Sequence, residues 1–167
     1  MAQPEPSVPR SIDRLSPALT AIVAAAAAQL SSEGRAVGRI VSVAPGANVA
    51  EDECCEGFLY SRVVAVQARY GANARHTASG AYCSPLSYQV SAVLGIRRCA
   101  AVVDDRGISP KPEEITADGR EGLADLSTLL AVLCSLTGID SIGLWEPVGP
   151  EGGCHGGEWS FTLSLPA

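Results

Sequence analysis

The sequence predicts an α+β fold: a mostly antiparallel sheet with two helices packed on it, in the order α-β-β-β-α-β-β. Three observations carry that expectation. In the closing stretch Trp159, Phe161, Leu163 and Leu165 alternate with Glu158, Ser160, Thr162 and Ser164. A period of two marks a strand with one buried face and one wet face. Two other stretches, 17–30 and 112–136, place apolar residues at helical spacings. The strand-like and helical stretches do not strictly alternate, which points away from repeated βαβ units.

The elements follow in order. Residues 1–16 carry Pro4, Pro6 and Pro9 without periodicity and read as an extended arm, which needs something such as a neighbouring subunit to hold it. Residues 17–167 read as one domain. Ser16-Pro17 has the form of a helix start, Ser at the cap and Pro at the first position. Leu19, Ile22, Val23, Ala26 and Leu30 form the stripe of that helix, and Gly34 suits a left-handed cap. Residues 37–44 read as a strand ended by Pro45-Gly46, and 48–56 as an acidic loop.

Residues 58–70 form a long strand, with Leu59, Val63 and Ala65 on one side and Phe58, Tyr60, Val64 and Val66 on the other. Apolar residues on both sides predict a strand covered on both faces. A turn-rich loop, 71–84, leads to a strand over 86–99 in which Leu86, Tyr88, Val90, Ala92, Leu94 and Ile96 share a face. The second helix, 112–136, has Glu113 and Glu114 in its first turn, favourable for the helix dipole. Its stripe runs through Ile115, Gly122, Leu126, Leu129, Leu130 and Leu133. A final hairpin, 143–165, closes the core with both tryptophans.

The length of 167 residues suits one domain. Charged residues are 18% of the chain, below the usual value of about 25%, which suggests a surface partly covered by partners. A net charge of −6 with a single lysine, Lys111, disfavours a groove that tracks nucleic-acid phosphates. DNA passing through a pore with few contacts stays compatible. No run of about 18 apolar residues stands out, so no membrane-spanning helix is expected. The stretch 17–30 is too rich in alanine to make a strong secretory core.

Six cysteines, Cys54, Cys55, Cys83, Cys99, Cys134 and Cys154, are too sparse for a secreted disulfide scaffold, and reduced thiols are the expectation. Their spacing lacks the twice-paired pattern of structural zinc sites. No signature around His76 or His155 marks a nucleophile and its base. Residues 149–157 are glycine-rich like a phosphate cradle, but no Lys-Ser/Thr and no helix follow, so a flexible hairpin loop is the reading. Arg97-Arg98 and Arg75-His76 read as loop charges or interface contacts. If 58–70 and 86–99 pair as a hairpin centred near Thr77, opposed residue numbers sum to about 154. Cys55 and Cys99 then face each other within disulfide reach.

The element order, the G-x-W entry to the last hairpin and its closing W-S-F-T-L-S-L strand resemble the tail terminator proteins of long-tailed phages. The Cys-rich entry to GFLYSRVVAV, the CSPLSYQV strand and GPEGGCHGGEW are also similar to neck and tail-completion proteins from phages of high-GC actinobacterial hosts. The proline-rich arm and the GPEGGCHGG loop are longer than the compact family pattern. The resemblance implies a structural virion protein without catalysis or cofactor. It would form a homo-hexameric ring that caps the tail tube protein and meets a head-tail connector or stopper, with DNA crossing the lumen. Its place would be the tail-neck junction of the virion, after assembly in the host cytoplasm and without a membrane. Alternatives are another neck connector component, or a small thiol- or metal-dependent enzyme. Loops on a rigid sheet carry recognition, so Tyr70, Arg75, His76, Tyr82, Gly152, His155 and Glu158 are the candidate interface or lumen residues.

Overall fold

The computed structural model describes residues 11–44, 54–70 and 85–166. A 3-10 turn, Ser11–Arg14, leads into α1 (Leu15–Ser32). Then come β1 (Arg39–Ala44), β2 (Phe58–Arg69), β3 (Ser87–Cys99), α2 (Pro112–Ser135), β4 (Ile139–Glu151) and β5 (Cys154–Pro166). The strands form one sheet in the order β1-β2-β3-β5-β4. Among the described residues only the β1–β2 pair is parallel. The architecture is the α+β fold, in the element order, that the sequence predicts.

Both helices pack on one face. Leu19, Ile22, Val23, Ala26 and Leu30 of α1 meet Leu59, Val90, Leu94, Ile96 and Phe161 of the sheet, joined by Leu129, Val132 and Leu133 of α2. Each of the Val, Leu, Ile and Phe side chains among them contributes about 1.5–3 kcal/mol on full burial. The stretch Ile12–Ser32 is long and apolar enough to cross a membrane by length and composition, which the sequence reading had not picked out. Its five buried residues are those of the predicted stripe and face the sheet, as in a core helix.

The start of α1 differs from expectation. Ser16 lies inside the helix, and Arg14 stands at the cap without a side-chain capping bond. Ile12 and Leu15 pack on the core and draw the helix back past the Ser-Pro signal. Pro17 is tolerated because the first N–H groups of a helix have no intrahelical partner. At the other end Gly34, at φ +73°, lets the Arg35 N–H donate to the Leu30 carbonyl at 2.9 Å.

The β2–β3 register sums to 155, as in Leu59 opposite Ile96, one away from the predicted constant. Past Val63 the sum becomes 156, because Val64 is an extra residue bulged out of the ladder. The bulge corrects the predicted faces of β2. Val66, opposite the core residue Val90, joins the helix side, and Ala65 turns to the outer side. Nor is β2 covered on both faces throughout. Its second half is open, with Val64 56% exposed.

In α2 the buried set is Asp125, Thr128, Leu129, Val132 and Leu133, while Ile115 is exposed. The first half of this helix faces the β4–β5 hairpin end across an open groove rather than the packed core, so its part of the predicted stripe finds no core. The last hairpin is also tighter than predicted. Residues 149–151 and 154–157 belong to strands rather than to a loose loop. Glu151 faces Cys154 across a turn made by Gly152 and Gly153, at φ +61° and +79°, the left-handed pair that a two-residue hairpin needs.

Candidate functional site

At one end of the sheet four cysteines meet. Cys55–Cys99 is a disulfide with Cα atoms 4.1 Å apart, the pair that the hairpin arithmetic brought together. Cys54–Cys154 is a second disulfide, Cα–Cα 5.9 Å, which the sequence reading did not foresee. Both form because Cys99 and Cys154 are register partners on β3 and β5, and the chain entering β2 runs beside them. Reduced thiols are thus corrected for these four, whereas Cys134 is free and exposed. Cys83 lies outside the described residues. Among the described residues no cluster of His, Cys, Asp or Glu suits a metal ion.

Beside this corner lies a lattice of charge centred on the buried Asp125 and Arg98. Asp125 of α2 is 1% exposed. It accepts from Arg98 Nε at 2.6 Å and Nη2 at 3.0 Å, and from Arg35. Arg35 also reaches Glu33 and Thr128, and the Thr128 hydroxyl donates to Glu33 at 2.7 Å. Burial works against the Arg98 charge, but the Asp125 carboxylate outweighs it and holds the guanidinium above its ordinary pKa. Hydrogen bonds from Gln29, Thr128 and Arg35 lower the Glu33 pKa to about 2.

A second cluster sits on the outer face. The Tyr60 ring lies over Gly95, where any Cβ would collide with it, and its hydroxyl donates to Glu158 at 2.6 Å. Arg62 donates to the other oxygen of Glu158 at 2.7 Å, and Arg97 approaches at 3.4 Å. Burial raises the Glu158 pKa, but Arg62, Tyr60 and Arg97 together hold it below the usual carboxylate value. Burial, and then the bond to Glu158, push the Tyr60 phenol up.

The predicted reading of Arg97-Arg98 as loop charges is corrected, since both are buried in β3. Adjacent residues of a strand point to opposite faces. Arg98 therefore meets Asp125 under the helices, and Arg97 meets Glu158 outside. Glu158 was expected on a wet face and is buried instead. Alternation gives the side of the sheet, but it does not show that Tyr60, Arg62 and Arg97 cover that side.

Between the first half of α2 and the hairpin end of β4 and β5 lies an open groove of about 470 Å³, in the size range of small-ligand sites. Ile115, Leu123, Trp145, Pro147 and Val148 make it apolar, and Asp118 and His155 add polar atoms. His155 Nε2 stands 3.6 Å from Glu121, within ion-pair distance but beyond hydrogen-bond reach. Trp145 lies over Gly157 and 5.7 Å from the Trp159 ring, whose indole N–H donates to the Leu126 carbonyl at 3.0 Å.

The predicted interface residues are therefore scattered. Tyr70 is exposed at the end of β2, Gly152 is in the tight turn, His155 lines the groove and Glu158 is in the outer ion cluster. Arg75, His76 and Tyr82 lie outside the described residues. Among the described residues the structure adds two open sheet edges. Ile40 and Val43 of β1 are exposed beside Arg39, and Leu144 of β4 is 77% exposed between Asp140 and Glu146. No family model matches this chain, and no curated protein matches it.

Proposed function

We propose that this chain is a structural, ring-forming protein of a long-tailed phage virion, of the tail terminator type. In this reading it caps the tail tube, meets the head connector and leaves a lumen for DNA. The α-β-β-β-α-β-β order and the closing hairpin support the resemblance. The observation that carries the reading is the character of the two edges.

β1 and β4 bound the sheet and run in opposite directions. Rotating one copy beside another about an axis along the strands therefore sets β4 antiparallel to the neighbour's β1. The charges agree: β1 carries Arg39 and no acid, and β4 carries Asp140 and Glu146 and no base. A head-to-tail contact of this kind closes into a ring when the rotation permits. Closure also removes the open edges that otherwise invite aggregation. Disulfides form once a particle reaches oxidising surroundings, which accommodates assembly in a reducing cytoplasm.

Electron micrographs of the purified full chain test the reading. Closed rings with a central opening are the expected result. Particles of monomer size at every concentration would overturn it.

A further inference from the structure

We infer that the groove between α2 and the β4–β5 hairpin receives the proline-rich arm of a neighbouring copy. The arm reads Pro6-Ser7-Val8-Pro9-Arg10 immediately before the first described residue. A P-x-x-P segment favours the polyproline II helix, which loses little entropy on docking and fits grooves lined by aromatic and apolar side chains. The groove offers that surface in Trp145, Pro147, Ile115 and Leu123.

Charge agrees as well. Asp118 lies in the groove, held by the Ala101 N–H at 2.7 Å, and Glu121 stands beside it near His155. Arg10 follows the second proline of the motif and is the cation that such an acidic flank selects. Leu123 is 65% exposed and Ile115 is 55% exposed, so the rim is apolar surface without cover.

Reach decides between a chain's own groove and that of its neighbour. Ala18, Ala21 and Ile22 line a cleft with Gly138 and Leu165, which puts the start of α1 at the Leu165 end of β5. The groove lies at the Gly156 end. From Gly156 to Leu165 is about 30 Å at ~3.3 Å per residue of strand. Even a fully extended chain of five residues spans at most about 18 Å, which bounds the distance from Ser11 to Pro6. The motif cannot fill the groove of its own chain, so the occupant is the arm of a second copy. The inference rests on the ring reading for that neighbour.

The test uses two differently tagged full-length chains, co-expressed, one carrying the photo-crosslinker p-benzoylphenylalanine in place of Val8. The expected result is cross-links between the two tags, mapping to 112–123 or 145–156. They should be lost in Leu123→Glu and, separately, in a Pro6→Ala/Pro9→Ala arm. The mass of each sample is measured by light scattering before irradiation. An assembled sample whose cross-links fall elsewhere, or stay within one chain, overturns the arm inference and leaves the ring reading standing. A sample that is monomeric throughout overturns both.

Discussion

The two ends of the long β2–β3 pair are built from similar apolar strand sequence and yet have opposite fates. At the Cys99 end two disulfides, the Asp125 lattice and the Glu158 cluster tie β2, β3, β5 and α2 together. At the Arg69 end no disulfide or buried ion cluster ties the described residues, and Val64, Val66, Tyr70 and Leu86 stand exposed. The first end holds the fold, and among the described residues the second leaves large apolar side chains exposed. The difference comes from what lies over the strands rather than from the strands themselves.

Substitution should separate the ends clearly. The largest effect is expected at Asp125. Asp125→Ala leaves the buried Arg98 and the half-buried Arg35 without their shared carboxylate, and breaking a buried pair costs about 3–5 kcal/mol. Denaturant unfolding measures it, and a loss under about 1 kcal/mol, the scale of a surface pair, would show that the lattice does not hold this end.

Next comes the Cys54–Cys154 bridge, which spans a sequence separation of 100. Cys154→Ser should cost about 2–5 kcal/mol under oxidising conditions and nothing under strong reduction. An equal loss in both conditions would mean that packing of the side chain matters and the bond does not.

The acid limb of stability gives a smaller contrast. The Glu158 pKa is depressed below its ordinary 4.5 on folding. Its contribution is therefore complete above that value and is lost as the pH falls through the lower, folded one. Glu158→Gln should lower stability near neutrality and flatten its fall in acid. An unchanged slope would remove Glu158 from the account.

The smallest effect on folding is expected at the open end. Val64→Ser and Leu86→Ser should shift stability by no more than about 0.5 kcal/mol. Losses comparable with that of Asp125→Ala would show that this end is also core, and the comparison would fail.

How much of this was legible follows from where the information lies. Alternation in 159–165 and the stripe from Leu19 to Leu30 are local signals, and they gave the strands, the helix and their buried residues. The hairpin sum brought Cys55 to Cys99 because an antiparallel register is simple arithmetic once the turn is placed. Cys54–Cys154 was hidden, since it needs β5 to lie beside β3, a pairing across a helix. Asp125 was hidden for a related reason. A carboxylate among the polar residues of α2 looks solvated until Arg98, 27 residues away, arrives under the helix. The bulge at Val64 left no mark in the pattern, because valines on either face of a strand look alike. The groove was illegible because it joins the first half of α2 to a hairpin read as loose.

The central claim is that copies close edge to edge, β4 against the neighbour's β1, and its most direct test is a charge exchange read as mass by light scattering. Arg39→Glu and Glu146→Arg should each shift the full chain from assembly toward monomer, because each places like charges across the shared edge. The double variant restores opposite charges and should recover the mass of the parent. If the single variants assemble like the parent, or the double variant fails to recover, the edges do not meet and the ring closes by some other surface or not at all.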